Sequence, residues 1–336
     1  MRSSRDSAAG HTALWNEHPS ACGTLSYLIG SCMHGNNAAM ELKSEKGVKS
    51  LCPLCGSPRI APRYEIRRGG NDFSVYACDE CAFMFRNPVP TLHEIREWYS
   101  EGYYTGAADY SYCDERLIEP FARFVWDKRI QLLRKQTGGG NLLDVGCSFG
   151  GFLKAASACF IPHGIEISEY AGRYAKGIFG EAVHIGTLED HPFPASHFSA
   201  ITMIEVIEHL PDPLSSLAEC CKLLRPGGVL LVQTANMDGL QARIQGPRYA
   251  YFMPGHCSYF SRRTLLMALT KCGFRNVQFF HPVEFGLIPK LRKSRGGFKS
   301  CFDYRHWMRI AAYHAVSKIH IGDFAATSSL SLYAFK

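Results

Sequence analysis

The chain has 336 residues, 37 Lys and Arg against 30 Asp and Glu, and a formal charge of +7. That length suggests about two domains with ample core, and 46% apolar with 20% charged residues excludes wholesale disorder, collagen and a coiled coil. No apolar run approaches the roughly 18 residues of a membrane span.

The charge excess is local. From Lys290 to Lys336 there are nine basic residues (Lys290, Arg292, Lys293, Arg295, Lys299, Arg305, Arg309, Lys318, Lys336) and two acids, Asp303 and Asp323. The first 289 residues balance at 28 against 28. This is a neutral chain with a basic C-terminal segment.

Residues 1–45 are rich in Ser, Ala, Gly, His and Asn, without a sustained period, and are expected to be a disordered extension. The weakly apolar stretch Ala21–Met33 follows Glu17 and His18, where a secretory signal would carry a positive region. No signal peptide is expected. Met40 is an expected alternative start; otherwise the first 45 residues are expected to be dispensable.

Cys52-Pro-Leu-Cys55-Gly and Cys78-Asp-Glu-Cys81 are separated by 22 residues. Two CxxC turns on a hairpin converge four thiolates, the donor set of tetrahedral zinc. The hairpin strands are expected at Arg63–Ile66 and Phe73–Tyr76. The second turn carries Ala82 where a glycine is usual. A redox dithiol is the rival reading, but no thioredoxin-like unit surrounds either pair. Most of the other ten cysteines, such as Cys159, Cys220, Cys221 and Cys272, sit in apolar runs and read as small hydrophobes. A reducing, cytoplasmic setting follows.

Residues 92–135 read as helical, with a Tyr-rich break at Tyr99–Tyr112, and Glu119–Gln136 has apolar residues at helical spacing. After Gly138-Gly-Gly the pattern alternates. Strands are expected at Asn141–Val145, Gly164–Ile167, Val183–Ile185, Phe198–Val206, Val229–Gln233, Val277–Phe280 and Ser329–Phe335. Helices are expected at Phe152–Cys159, Glu169–Gly177, Leu214–Leu224 and Arg263–Cys272, and a helix-like run at Phe302–Ser317. Strands alternating with helices predict an α/β, doubly wound, Rossmann-like parallel sheet.

Leu142-Leu-Asp-Val-Gly-Cys-Ser-Phe-Gly150 lies at the first strand-to-helix turn, where Gly146 and Gly150 let a ligand approach the backbone. Glu166 stands 20 residues after Gly146, a spacing that suits an acid bonding ribose hydroxyls. The loop is not GxGxxG, which argues against a nicotinamide enzyme.

The stretch DVGCSFG resembles the first motif of class I S-adenosylmethionine-dependent methyltransferases. Further matches follow in order: GIEIS, GTLED-HPFP, IEVIEHLPDP and LLRPGGVLLV. They cover roughly residues 138–280. The lead ending FRNPVPT and the later HCSYFSRRTL resemble a branch with a zinc ribbon fused upstream, akin to the ubiquinone-pathway O-methyltransferases. The resemblance implies a seven-stranded sheet with S-adenosylmethionine as cofactor. It places Asp144, Gly146, Cys147 and Gly150 around the methionine part, Glu166 on the ribose, and Leu188 and Glu189 beside the adenine. Ser148 and Ser199 depart from the usual glycine and aspartate.

Glu205, Glu208 and His209 follow the fourth core strand, at the sheet edge where ligands sit. His209 is the candidate catalytic base, with Glu205 beside it. Two carboxylates with His209 and the later His256 also suit a divalent ion with open positions. That set resembles the metal pattern of ubiquinone-pathway O-methyltransferases and of small-RNA 3′-end 2′-O-methyltransferases, which implies Mg or Mn. The plainer reading is that these residues hold one another and the loop.

The expected organisation is an extension (1–45), a zinc ribbon (46–91), a Tyr-rich connector or lid (92–137), the methyltransferase core (138–282), a basic and aromatic insertion (283–325) and a final strand (326–336). The expected reaction is O-methylation of a small-molecule, sugar or glycan acceptor, phosphorylated or lipid-linked, with peripheral membrane contact through the insertion. The alternatives are RNA methylation and an inactive cofactor-binding scaffold; no DNA partner is expected.

Overall fold

Apolar strands flanked by helices assemble as expected in the computed structural model, which describes residues 47–68, 71–106, 114–280, 287–288, 291, 304–316, 319–321, 324–325 and 329–336. The expected extension at 1–45 and the basic residues Lys290, Arg292, Lys293, Arg295 and Lys299 lie outside the described residues, as do Tyr110 and Tyr112 of the connector.

Three antiparallel strands form the cysteine module: β1 (Ile60–Ile66), β2 (Phe73–Cys78) and β3 (Met84–Arg86). Two short helices follow, α1 (Leu92–Trp98) and α2 (Glu101–Thr105), then α3 (Glu115–Thr137). Helix α3 starts four residues before the expected Glu119. Asp114 caps it by accepting from Arg116 N at 2.9 Å, so Pro120 falls within the helix instead of in its first turn.

The core continues with β4 (Asn141–Val145), α4 (Gly151–Ala156), β5 (Ile161–Glu166), α5 (Glu169–Phe179), β6 (Val183–Ile185) and β7 (Phe198–Ile204). Then come α6 (Pro213–Leu223), β8 (Leu224–Ala235), α7 (Leu240–Gln245), β9 (Ser258–Tyr259), α8 (Arg262–Lys271) and β10 (Arg275–Phe280). Helix α9 (Tyr304–Val316), a two-residue pair β11 (His320–Ile321) and β12 (Phe324–Ala325), and β13 (Ser329–Phe335) complete the chain. The seven-stranded sheet has the order β10-β13-β8-β7-β4-β5-β6. Its strands run parallel except for β13, which is antiparallel to both neighbours.

Strand β8 begins five residues before the expected Val229. Leu224 pairs with Phe198 across a register shift, so Arg225-Pro-Gly-Gly is carried as an irregularity of the strand edge and does not precede it.

Alternation sorts the sheet's side chains between two cores. Leu143, Val145, Ile201, Met203, Leu230 and Val232 face α6 and α8, with Leu217, Leu265 and Leu269. Leu142, Ala200, Val229 and Leu231 face α3 and α4, with Trp126, Ile130, Leu133 and Leu153. Both faces are covered, which is why the strands read as near-continuous apolar runs. Each fully buried Leu contributes roughly 1.5–3 kcal/mol.

The cysteine module shares these cores. Leu54, Phe83 and Phe85 pack with Phe260, Leu265 and Ala268. Its other face, Ile66, Phe73 and Val75, meets Tyr249, Phe252 and Tyr259. Strand β3 pairs with β9, so a strand from the core completes the module's sheet. Residues 46–336 accordingly form one compact unit. No helix among the described residues is long and apolar enough to cross a membrane.

Gly56 and Ala82 close the two cysteine turns at φ 78° and φ 62°. The left-handed region costs an L-residue roughly 1–2 kcal/mol, which glycine avoids at some entropic cost. Ala82→Gly is therefore expected to raise the unfolding free energy by about 1 kcal/mol. Urea unfolding of the purified protein checks this; an unchanged or lower midpoint contradicts it.

Candidate active site and metal centres

The four cysteines converge. Cys52 Sγ lies 3.6 Å from Cys81 Sγ, Cys55 Sγ lies 3.5 Å from Cys78 Sγ, and all four sulfurs lie within 4.8 Å of one another. None of them is in a disulfide. Gly56 N and Ala82 N donate to the carbonyls of Cys52 and Cys78 at 2.9 and 2.8 Å, which shapes each turn. Burial pushes the Cys52 thiol up to about 11. At Cys78 burial pushes upward too, but the backbone groups of Cys81 and Glu80 outweigh it and draw the thiol down to about 7. Four soft donors in this arrangement fit tetrahedral zinc.

At the end of β4 the chain turns through Gly146 (φ 76°), Ser148 (φ 49°) and Gly150 (φ 79°). A Cβ on Gly146 would lie 2.7 Å from Val206 Cγ2, so glycine is needed for space as well as for φ. Glu166, at the end of β5, is buried and accepts from two backbone amides: Ser148 N on Oε2 at 2.7 Å and Ser168 N on Oε1 at 2.8 Å. Burial raises its carboxyl above the usual range, against the pull of those amides. Asp144 is buried as well; burial pushes it up to about 8, although Thr202 Oγ1 donates to its Oδ1 at 2.5 Å. Ser148 Oγ is buried and without a partner. The Cys147 thiol packs against Gly164, where a Cβ would lie 2.6 Å from the sulfur. Leu188 is buried, while Glu189 is exposed and accepts from Ser216 Oγ at 3.3 Å.

After β7 the chain enters a short turn, Ile207–His209. Here Glu208, His209 and His256 come together, each offering a ligand atom within 4.8 Å of the others. Glu208 Oε2 accepts from Thr234 Oγ1 at 2.8 Å, whereas its Oε1 is buried and unpartnered. His256 Nδ1 donates to Tyr251 O at 2.6 Å, which leaves Nε2 as the acceptor. The two imidazoles meet edge to face at 4.5 Å between centroids. His209 Nδ1 lies 2.7 Å from the Tyr99 hydroxyl and 3.0 Å from Gly255 O. Burial pushes Glu208 well above the carboxylate range, and the neighbouring Glu205 adds to it. Desolvation draws His209 down to about 4 and lowers His256, the latter helped by His209. An unpartnered carboxylate oxygen facing neutral imidazoles suits a divalent cation of the Mg/Mn type with open positions.

Glu205 neighbours Glu208 but is not among the converging ligand atoms. Its backbone is at φ 55° and its Oε1 accepts from Gln233 Nε2 at 2.8 Å. Gln233 Oε1 in turn accepts from Arg129 Nη2 at 2.9 Å. Arg129 is buried on α3, and Asp144 and Glu205 are the foremost acids acting on it. Arg129 was not among the expected site residues. Its signal was a lone charge on the apolar face of a helix, three residues after Trp126 and four before Leu133.

The glycine turn and the Glu208–His209–His256 cluster are joined by Tyr99. Its carbonyl accepts from Ser168 Oγ at 2.5 Å, and its hydroxyl meets His209. Tyr103, Tyr104, Phe149 and Tyr170 pack beside it. Both groups hang from the C-terminal ends of β4, β5 and β7, the ligand-binding edge of an open α/β sheet.

Residues 116–279 match a protein family described as a methyltransferase domain. The chain carries a class I S-adenosylmethionine-dependent methyltransferase domain. Over 108 residues, 30% of this chain and 46% of the relative, it is 38% identical to a ubiquinone biosynthesis O-methyltransferase of Aromatoleum aromaticum. Over 113 residues, 31% of this chain and 48% of the relative, it is 35% identical to the protein of the same name from Thiobacillus denitrificans. The chain thus spans about half the length of these curated relatives. A SAM-dependent methyltransferase from Archaeoglobus fulgidus superposes with a TM-score of 0.45 at 18% identity, over 64% of this chain and 94% of that one.

The residues of this methyltransferase domain fit S-adenosylmethionine. A glycine turn closed to any Cβ at Gly146, an unpartnered Ser148 hydroxyl and two buried acids await polar ligand groups. Metal analysis of the purified protein is expected to return one zinc per chain, lost in Cys52→Ser. A fully folded, metal-free Cys52→Ser variant would refute a structural site. In divalent-metal-free protein, His209 is expected to stay neutral from pH 8 down to pH 5 because its folded value is about 4. A His209 ring resonance titrating near the unperturbed value of about 6.5 contradicts that.

Proposed function

We propose that this chain moves the S-methyl group of S-adenosylmethionine to a hydroxyl oxygen of a small-molecule acceptor. The observation that carries the reading is Tyr99, bonded at once to Ser168 beside Glu166 and to His209. It holds the cofactor acid and the acid–imidazole cluster side by side. The matched relatives, named as O-methyltransferases, support an oxygen acceptor.

In this reading Glu166 takes the ribose hydroxyls. Asp144, Gly146, Cys147 and Gly150 surround the methionine part, and Leu188 and Glu189 flank the adenine. The transfer is an in-line displacement: the methyl–sulfur bond breaks as the methyl–oxygen bond forms, and the acceptor proton leaves to a base. Glu208, His209 and His256 would hold Mg or Mn, which when bound lowers the pKa of an acceptor hydroxyl and orients it. With no cation bound, His209, neutral at pH 7, would take the acceptor proton; with a cation bound its one lone pair would serve as a ligand and the proton would pass to solvent. Glu205, held by Gln233, adds negative potential beside Glu208, which a divalent cation would offset. Among the described residues Arg129 is the buried cation beside Asp144 and Glu205, and it offsets part of the cost of burying Asp144. The basic segment around Lys290–Lys299 favours an anionic, phosphorylated or lipid-linked acceptor over a long nucleic acid.

Calorimetry is expected to show S-adenosylmethionine binding, at least about tenfold weaker in Glu166→Gln, because a charge-assisted pair is lost. In a methyl-transfer assay on fractionated extract, EDTA is expected to abolish turnover and Mn²⁺ to restore it. Binding of NAD in place of S-adenosylmethionine overturns the reading, and full activity in EDTA removes the cation from it.

A further inference from the structure

The third strand of the cysteine ribbon ends at the active site. Strand β3 pairs with β9 through Met84–Tyr259 and Phe85–Ser258, and Arg86 N donates to Cys257 O at 2.8 Å. Cys257 is next to His256. On its other side Cys257 N donates to Glu208 O at 2.7 Å, and Gly255 O lies 3.0 Å from His209 Nδ1. Residues 255–257 are thus bonded to the ribbon on one side and to the Glu208–His209 turn on the other.

The Arg86 side chain adds a second tie. Its Nη1 donates to Pro254 O, and its guanidinium lies over Phe73 at 4.8 Å and Trp98 at 5.3 Å. It borders a cavity of about 250 Å³ that Asp72, Ser74 and Glu94 also line. A planar guanidinium held over two rings is a rigid donor, which a flexible ammonium or a water is not. Burial among those rings makes its one carbonyl partner matter more. Main chain and side chain of the same residue therefore fix both ends of Pro254–Cys257.

We infer that Arg86 is a positioning residue: through it the ribbon sets where His256 and the Gly255 carbonyl stand relative to Glu208 and His209. The inference rests on the reading that those residues serve the acceptor side of methyl transfer. It gives the ribbon a role beyond its own folding. The path bypasses Gly146, Ser148 and Glu166, so it separates acceptor-side geometry from cofactor binding. A misplacement of about 1 Å in such a site costs on the order of a hundredfold in rate.

The test compares Arg86→Met with Lys271→Met in the full-length, zinc-loaded protein. Lys271 Nζ donates to Leu54 O at 2.6 Å, a ribbon tie that involves none of residues 254–257. Arg86→Met is expected to speed hydrogen exchange across 254–257 by about tenfold or more. It is also expected to weaken Mn²⁺ binding and to lower kcat by about tenfold or more, with S-adenosylhomocysteine affinity within about twofold of wild type. Lys271→Met is expected to leave exchange at 254–257, Mn²⁺ affinity and kcat as they were. Wild-type exchange at 254–257 in Arg86→Met, or equal losses in Lys271→Met, overturns the inference. The exchange readout needs neither cofactor nor acceptor. It decides the positioning even if wild-type protein fails to bind S-adenosylmethionine, a result that sinks the functional reading alone.

Discussion

The glycine turn, Glu166 and the Glu208–His209 turn hang from one edge of a parallel sheet whose two faces are both covered. That double burial forces polar residues on the strands into partnerships, because water cannot reach them. Asp144, Thr202 and Gln233 fall on the α3 side by the alternation that sends Leu142, Ala200 and Leu231 there. Arg129 from α3 reaches Gln233, which ties Glu205, while Thr202 ties Asp144. The network is therefore a consequence of strand periodicity. It leaves groups such as Glu208 Oε1 and Ser148 Oγ unpartnered at the edge, where ligands bind.

The same edge explains the backbone irregularities. A strand that must stop and let a ligand approach turns abruptly, and positive φ values gather at Gly146, Ser148, Gly150 and Glu205. Two of the four are not glycine. The family resemblance leads one to expect glycine at Ser148, and the left-handed conformation is present there despite the Cβ. Its amide then reaches Glu166 Oε2, while Oε1 is held by Ser168 N, so the loop is fastened to the buried acid. Strain of about 1–2 kcal/mol at such a residue is tolerable where two hydrogen bonds to a buried carboxylate over-determine the turn.

Local patterns were legible in the amino-acid sequence, and long-range pairings were not. The bounds of Asn141–Val145, Val183–Ile185 and Ser329–Phe335 coincide with their expected ranges because turn residues and buried runs mark both ends. The metal-type spacings were equally visible, and both clusters converge in space. Strand β9 was invisible: two residues without alternation become a strand only because β3 offers an edge. Arg129 was hidden for a related reason. A charge in an amphipathic helix reads as surface until the facing strand shows an acid and an amide beneath it. Glu205 shows the converse: spacing grouped it with Glu208 and His209, but the left-handed backbone at its own position directs it to Gln233.

The ribbon's dependence on the core follows from its size. About 40 residues bury little surface of their own, so a metal or borrowed surface must make up the rest. Here the module borrows surface on two sides, from Phe260 and Ala268 beneath Phe83 and from Tyr249 and Phe252 beneath Val75. Borrowing is reciprocal. The segment from Tyr249 to Tyr259, which carries His256, has only a two-residue strand of its own and is held by the module it supports. The four-cysteine cluster at one end of this packing is thus linked through shared contacts to the segment that carries His256. Loosening of the cysteine module would therefore reach the Tyr249–Tyr259 segment first, and the sheet, secured by its own parallel ladders, last.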